Sequence, residues 1–276
     1  MPVEVCLELL GERPIQLPFF TGYISRGLLL HILRRVDPSI SSRMHESDVP
    51  KPYSVTPIRF RAKKKLEAGY IIDPSAPCMV CFRFLRGEIA RRFLEYFHKS
   101  SEVMIYDAFF HISSIRIHSE EYGDIWKSAK PAEAFRLHFI TPTYLSVLGT
   151  EYHYLFPDHT RIFPNLLRLW NMFSDTKRLG EEEFSEYREW LLENMGVSQH
   201  RISTRIAYMG EKKATGFTGW ATYEMKKIDE WNRLTCALAK YAEYSNIGGN
   251  RTGGFGVTKM RTKSKSKIYL EEPFRT

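Results

Sequence analysis

Ser245–Gly256 reads SNIGGNRTGGFG, and five of these twelve residues are glycine. Apolar residues before it recur three or four positions apart, which predicts a helix. They are Ile228, Trp231, Leu234, Leu238 and Tyr241. The pattern of Phe255–Met260 predicts a strand. The chain therefore runs helix, glycine-rich loop, strand, and this order limits what the loop can be.

The order excludes two nucleotide-binding motifs. A P-loop needs GxxxxGK[ST] between a strand and a helix. Gly248 and Gly253 have the right spacing, but Gly254 and Phe255 follow them. The dinucleotide fingerprint fails for the same positional reason. Glycine N–H groups can approach a phosphate because no Cβ intervenes, and a flexible turn would use the same residues. Phosphate contact and a structural turn both stay open.

Outward from the loop, the same order of elements occurs twice. The first half reads strand, helix, strand, strand, helix, strand at Val3–Leu10, Thr21–Val36, Tyr53–Phe60, Cys78–Leu85, Arg86–His98 and Val103–His118. The second half adds helices after its first strand: Phe135–Ile140, Asn165–Phe173, Glu181–Met195, Arg201–Met209, Phe217–Met225, the helix described above and Phe255–Met260. This is the ferredoxin-like series. We expect an α+β fold of two tandem ferredoxin-like (βαββαβ) domains, residues 1–120 and 132–276, joined by a linker.

The charge of the chain favours an anionic partner. Its 276 residues include 40 Lys and Arg against 32 Asp and Glu, a formal net charge of +8. Nucleic acid is the first candidate for such a partner. Near the C-terminus, basic residues at every second position would share one face of an extended segment. They are Lys259, Arg261, Lys263, Lys265 and Lys267. Nucleic-acid contact is one interpretation of this stripe, and a solvated edge strand is the other.

The sequence gives no sign of a membrane span, a signal peptide or a metal site. No stretch approaches the roughly 20 apolar residues of a span, and MPVEVCLELLGERP lacks the layout of a signal peptide. We therefore expect a cytoplasmic protein. Cys78 and Cys81 form a CxxC, but residues i and i+3 of a strand face opposite sides, and no second CxxC or HxxxH completes a zinc site. Core packing is the favoured interpretation, and we expect no metal or cofactor.

Four stretches resemble one known family. NIGGNRTGGFG (246–256), after an amphipathic helix, resembles the glycine-rich loop of the RAMP superfamily of CRISPR systems. FRLHFITPTYLS (135–146), KKATGFTGWATYEM (212–225) and RMHESDVPKPYSVTPI (43–58) resemble its strand-plus-TPT segment, its Gly-Trp hairpin strand and its N-terminal histidine stretch. The likeness is to the endoribonucleases that process CRISPR repeats. Asn246 departs from a loop that often begins with glycine, but asparagine tolerates a positive φ.

The resemblance implies two ferredoxin-like domains flanking a basic RNA-binding cleft. It also implies an endoribonuclease that cuts precursor CRISPR RNA without a metal ion. The 2′-hydroxyl of the substrate attacks the adjacent phosphorus and leaves a 2′,3′-cyclic phosphate and a 5′-hydroxyl. CRISPR repeat RNA is the expected partner. Subunits of a CRISPR effector complex, and a second copy of the chain in a homodimer, are further candidates.

This reaction needs a base, an acid and positive charge near the phosphorane. His45 is the favoured proton-transfer residue, because the resemblance places a histidine here with a lysine at about the distance of Lys51. Lys51 would stabilise the transition state. Tyr23, at the start of the first helix, and His31, on the same helix, are further candidates. Each candidate also has an interpretation without catalysis. His45 and Lys51 could be solvent-exposed residues of a loop, and His31 could be a packed residue of the helix.

RNA binding is predicted for loop residues and nearby basic residues: Gly248, Gly249, Arg251, Gly253, Gly254, Gly256, Lys259, Arg261, Lys212 and Lys213. Two other functions stay open. A non-catalytic RNA-binding RAMP subunit of a CRISPR effector complex would share the fold and the loop but has no need of His45. A basic ferredoxin-like protein could instead bind a nucleotide or a partner protein.

Overall fold

The computed structural model describes residues 1–45, 49–147, 149–150, 152–209 and 212–262, with the backbone alone at residue 45. The first half contains eight strands in this range: β1 (Val3–Gly11), β2 (Gln16–Leu17), β3 (Tyr53–Val55), β4 (Ala62–Leu66), β5 (Gly69–Ile72), β6 (Cys78–Phe84), β7 (Glu102–Ile105) and β8 (Ala108–Ser119). Its helices are α1 (Gly22–Val36), α2 (Pro38–His45) and α3 (Gly87–Glu95).

The remaining elements follow residue 120. The helices are α4 (Tyr122–Ser128), α5 (His159–Phe173), α6 (Glu181–Asn194) and α7 (Glu230–Ser245). The strands are β9 (Ala134–Thr143), β10 (Leu145–Ser146), β11 (His153–Tyr154), β12 (Met195–Met209), β13 (Lys212–Met225) and β14 (Thr258–Thr262). Short 3₁₀ turns occur at Tyr96–His98 and Arg251–Gly253. The mixed α+β class expected from the sequence is confirmed.

The first large sheet has the strand order β3-β6-β1-β8-β7 with antiparallel pairing throughout. Alternation along β1 explains its two faces. Val3, Val5, Leu7 and Leu9 are buried on one side, whereas the residues between them are half-buried. Helices α1 and α3 contribute to the same core cluster, which gives the first half of the chain a hydrophobic core of its own.

The second large sheet has the order β12-β13-β9-β14, again antiparallel. Phe135, Leu137 and Phe139 alternate along β9 and are buried in a second core cluster, together with residues of α5, α6 and α7. The other face of this sheet carries polar and charged side chains. This second core is formed almost entirely by residues that follow residue 120.

Several expectations about individual elements were wrong. Val103–His118, predicted as one strand, forms β7 and β8 with a turn at residues 106 and 107 between them. The segment taken as a linker forms α4, because Tyr122 and Ile125 recur at helical spacing and are buried in the second core. Strand β3 ends at Val55, although the pattern predicted a strand to residue 60, and a separate sheet with the order β2-β5-β4 follows. Strand β14 begins at Thr258 and not at Phe255, because Phe255 lies in the turn before it.

The cysteines show a connection that the CxxC pattern did not predict. Cys6 and Cys81 are register partners on β1 and β6 and form a disulfide, whereas Cys78 is free and buried. Burial raises the pKa of the Cys78 thiol to about 11. Glu4 lies beside the two sulfurs and is ion-paired with Arg83, and the sulfurs are bonded to each other, so neither is a thiolate.

None of the helices in the described part of the chain combines the length and the apolar character that crossing a bilayer requires.

Candidate functional site

The glycine loop, residues 245–256, lies where the two halves of the protein meet. It follows α7 and packs against α1 and β3 of the first half. Ser54 Oγ donates to the Tyr244 carbonyl at 2.7 Å, just before the loop. Most residues of the loop are buried. The loop is therefore part of the junction between the halves.

The side chain of Asn246 holds the loop to both halves. Its Nδ2 donates to the carbonyls of Val55 at 3.1 Å and Phe255 at 3.0 Å. Its Oδ1 accepts from Arg83 Nη1 at 2.9 Å. Arg83 is itself buried and ion-paired with Glu4 at 2.6 Å. The contacts with Val55 and Arg83 cross between the halves, whereas the contact with Phe255 lies within the loop.

Arg251 also acts inside this junction. Only 9% of the residue is exposed. Its Nη1 donates to the Ser245 carbonyl at 2.8 Å, and its Nη2 to the Lys51 carbonyl at 3.4 Å. Burial lowers the pKa of the guanidinium. The geometry thus engages Arg251 with its own chain, and its predicted RNA contact gains no support from this placement.

Gly253, Gly254 and Gly256 are buried as well. Gly254 has φ of +83°, and a Cβ there would lie 2.9 Å from Gly22 Cα. A Cβ on Gly22 would lie 1.9 Å from the Gly253 carbonyl oxygen. These glycines allow two stretches of backbone to touch. The glycine backbone, which was predicted to contact a phosphate, here contacts backbone of the same protein.

Gly22→Ala is expected to lower the free energy of unfolding by about 1–3 kcal/mol, because the new methyl group collides with backbone that has little room to move. The midpoint of urea unfolding measures the loss. Gly27→Ala is the matched control on the same helix, since its Cβ would meet nothing within 4 Å. Alanine is the better helix former, so this control should be at least as stable as wild type. Equal stability of the two variants would contradict the tight junction.

Gly248 and Gly249 are half-buried and pack on Tyr144, a residue the sequence analysis did not select. Gly249 N donates to the Tyr144 carbonyl at 2.9 Å. The Tyr144 ring stacks on the exposed His153 ring with centroids 3.8 Å apart. Burial, and then the charge of nearby Tyr23, raise the pKa of Tyr144 to about 12. A tyrosine and a histidine thus lie beside the part of the loop that reaches the surface.

Tyr23 contacts the glycine loop directly. Asn250 Nδ2 donates to the Tyr23 hydroxyl at 2.6 Å, and Tyr23 is 38% exposed. Arg26 lies one turn further along α1 and is half-buried. Arg26 also lies near Tyr53. Burial raises the pKa of the Tyr53 hydroxyl, and the positive charge of Arg26 lowers that pKa in part. The i+3 spacing of Arg26 from Tyr23 places the two side chains on the same face of α1.

Lys51 contacts the same loop through its carbonyl, which accepts from Arg251 Nη2. His45 ends α2, whose Ser41 Oγ donates to the Leu30 carbonyl of α1 at 3.3 Å. The His45 side chain and residues 46–48 lie outside the described residues. The structure therefore brings Tyr23 and Lys51 to one loop and places the end of α2 six residues before Lys51.

His31 is not part of this cluster. It lies eight residues after Tyr23 on α1, about 12 Å along the helix axis. Burial lowers the pKa of its imidazole, and the charges of Arg35 and Arg34 lower it further. The position separates His31 from the contact between Tyr23 and the loop.

The open face of the second sheet collects basic and aromatic residues. Register places Arg201, Trp220, His138 and Lys259 in one row across β12, β13, β9 and β14. The Arg136 guanidinium lies 3.7 Å from the centroid of the Trp220 ring. Burial, followed by the nearby arginines at 261 and 136, lowers the pKa of His138. A surface of this composition is typical of proteins that bind single-stranded nucleic acid.

Four of the basic residues predicted to bind RNA lie on strands β13 and β14 of this sheet. Lys259 is exposed but ion-paired with Glu243 at 2.9 Å, and Arg261 lies opposite Arg136 in the register of β14 and β9. Lys212 and Lys213 are exposed at the start of β13. The remaining members of the C-terminal stripe, at 263, 265 and 267, lie outside the described residues. Their contact with RNA stays a prediction.

Two family models match the chain. The model of the CRISPR Cas6 N-terminal domain matches residues 1–77, and that of the CRISPR-associated endoribonuclease Cas6 matches residues 137–258. A curated Mycobacterium tuberculosis protein, the CRISPR-associated endoribonuclease Cas6, is 25% identical over 153 residues, which are 55% of this chain and 47% of that protein. The match thus spans about half the length of this curated relative.

Solved structures share the fold over nearly the whole chain. Thermus thermophilus Cas6 has a TM-score of 0.71 at 22% identity, over 95% of this chain and 98% of the other. Its product complex has a TM-score of 0.77 at 21% identity, over 94% and 98%. A Cas6-related protein of Pyrococcus furiosus has a TM-score of 0.63 at 14% identity, over 96% and 100%. Since the two family models together match more than half of its residues, the chain belongs to the Cas6 family.

Proposed function

We propose that this protein is a metal-independent endoribonuclease that binds and cleaves CRISPR repeat RNA. Family membership supports an RNA-cleaving enzyme, and the product complex of a Cas6 with the same fold supports RNA as the ligand. The proposed partner is precursor CRISPR RNA. Effector-complex subunits, a homodimer and a cytoplasmic location remain predictions from the sequence.

The position that we propose for the active site rests on one observation. The glycine loop contacts Tyr23 through Asn250, and the Lys51 carbonyl through Arg251. Two candidates that are 28 positions apart therefore lie against the same loop, and the helix that carries His45 ends six residues before Lys51. We place the active site at this junction between the two halves.

The proposed reaction forms a bond between the 2′-oxygen and phosphorus and breaks the bond from phosphorus to the 5′-oxygen. The 2′-hydroxyl loses its proton to a base, and the leaving 5′-oxygen receives one from an acid. His45 would transfer one of these protons, because imidazole titrates near neutral pH. The Lys51 ammonium would stabilise charge on the phosphorane. Tyr23 would position the RNA or donate to a phosphate oxygen.

The fold is proposed in more detail as two tandem ferredoxin-like domains, residues 1–120 and 132–276. The strand orders support this proposal. In each large sheet the four main strands lie in the order second, third, first, fourth, with β7 added at one edge. Helices follow the first and the third of these strands. That is the arrangement of a βαββαβ unit.

Synthetic repeat RNA incubated in EDTA tests the function, beside a copy with a single 2′-deoxy nucleotide at the cut. We expect cleavage of the first RNA and none of the second, because the deoxy copy lacks the attacking hydroxyl. The products should carry a 2′,3′-cyclic phosphate and a 5′-hydroxyl, which mass spectrometry distinguishes from other ends. Cleavage of the deoxy copy would exclude the 2′-hydroxyl mechanism. Tight binding without product would favour the non-catalytic RNA-binding subunit.

A further inference from the structure

The hairpin of β4 and β5, residues 62–72, forms a basic arm on the first half of the protein. It belongs to the small β2-β5-β4 sheet, in which β4 is an outer strand. Lys63, Lys64 and Lys65 follow one another on β4, and all three are exposed. In the described part of the chain, no carboxylate forms an ion pair with any of the three, whereas the neighbouring Arg61 is paired with Asp73 at 2.6 Å.

The arm is attached close to the proposed active site. Strand β2 ends at Leu17, five residues before α1 begins at Gly22. Thr21 Oγ1 donates to the Ile58 carbonyl at 3.1 Å, which fixes the start of α1 to the segment that enters the arm. The segment that enters the arm is therefore held at the start of the helix that carries Tyr23.

An aromatic ring is exposed between the arm and this helix start. Phe19 is 41% exposed, with the Tyr70 ring edge-on at a centroid distance of 5.2 Å. Lys65 Nζ lies 6.0 Å from the centroid of the Phe19 ring. The pair combines an accessible π-surface with a cation that is free of ion pairs in the described structure. These two features together bind single-stranded nucleic acid in many proteins, one through the base and the other through the phosphate.

We propose that the face of the arm formed by Phe19 and Lys65 binds one unpaired nucleotide of the RNA, outside the cleaved bond. Phe19 stacks on the base, and Lys65 contacts the adjacent phosphate. The proposal rests on the proposed function, since it extends the RNA footprint of that site. An RNA is favoured over an acidic protein because an RNA offers both a flat base to stack on the Phe19 ring and a phosphate to meet the charge of Lys65.

The strand geometry supplies a matched control. Lys64 is the register partner of Ile71, and Lys65 is the partner of Tyr70. Successive side chains of a strand point to opposite faces. Lys64 therefore lies on the face of the arm away from Phe19, and Lys64→Gln removes the same charge from the same strand.

The experiment measures the affinity of the full chain for synthetic repeat RNA as a function of salt. Phe19→Ala should weaken binding about 5- to 100-fold, the usual effect of losing one stacked base. Lys65→Gln should make the slope of log K against log salt shallower by about 0.7, the value for one phosphate of a single strand. Lys64→Gln should change the slope less. Phe109→Ala, an exposed phenylalanine on the first large sheet, should leave the affinity unchanged.

The outcomes separate this inference from the proposed function. If wild-type protein binds and cuts repeat RNA while Phe19→Ala and Lys65→Gln behave like their controls, the arm site is excluded and the enzyme remains. If wild type neither binds nor cuts, the proposed function fails with it. Should Phe19→Ala unfold, Lys65→Gln still decides, because its side chain is exposed. Photocrosslinking of 4-thiouridine RNA to the peptide containing Phe19 would support the site independently.

Discussion

His45→Ala is expected to slow the cleavage of repeat RNA by about 10²–10⁴-fold, the usual contribution of one proton-transfer residue. The RNA affinity should change little, because the proposed role is in the chemical step. Single-turnover cleavage at saturating RNA measures the rate, and filter binding measures the affinity. Added imidazole should restore part of the lost rate if the missing group transfers a proton.

His31→Ala is the control for this variant. It removes a histidine from α1, about 12 Å along the helix from Tyr23, and should retain most of the rate. A normal rate for His45→Ala would exclude His45 as the proton-transfer residue while leaving the endoribonuclease intact. A large loss of cleavage rate in His31→Ala would instead identify His31 as the proton-transfer residue.

The main elements could be predicted because most of them bury one face. Strand β1 alternates buried and half-buried residues, and α7 carries its apolar residues at helical spacing. The basic arm could not be predicted in the same way. Its strand β4 is exposed along most of its length, so AKKKL has no alternation to recognise. Tyr53–Phe60 was read as one strand although Pro57 cannot donate to a ladder, and β3 ends two residues before it.

The candidate site was predicted in its parts but not in its assembly. The glycines did indicate close approach of backbone, and the structure shows that Gly22 is one partner of this approach. Local patterns cannot show this, because the two segments are more than two hundred residues apart. The contact between Tyr23 and Asn250 also joins residues that are far apart in sequence. It forms only because α1 packs against the loop, so local patterns could not predict it.

The disulfide is a second long-range contact that local sequence patterns could not predict. Cys6 and Cys81 are 75 residues apart and meet only because β1 and β6 pair in one particular register. Cys78 and Cys81 do lie on opposite faces of β6, as their spacing predicted. The identity of Cys6 as the partner depends on the strand pairing, which no local pattern shows.

Asn246→Ala is expected to lower the free energy of unfolding by about 3 kcal/mol. The variant deprives the buried Arg83 guanidinium of one acceptor and removes the hydrogen bonds that Asn246 donates to the carbonyls of Val55 and Phe255. It also places alanine at φ of +58° and ψ of 169°, a region that is nearly exclusive to glycine. The midpoint of urea unfolding measures the change. Cleavage should fall as well, because the loop that begins here carries Asn250 to Tyr23.

Asn246→Gly separates the two causes. Glycine adopts the same backbone without strain but makes none of the side-chain hydrogen bonds, so it should recover about 1–3 kcal/mol of the loss. The remaining deficit then measures the bonds to Arg83 and the two carbonyls. If both variants were as stable as wild type, the side chain of Asn246 would not be what holds the glycine loop to the first half. If glycine were no better than alanine, backbone strain would have no part in the loss, and the contacts across the junction would account for all of it.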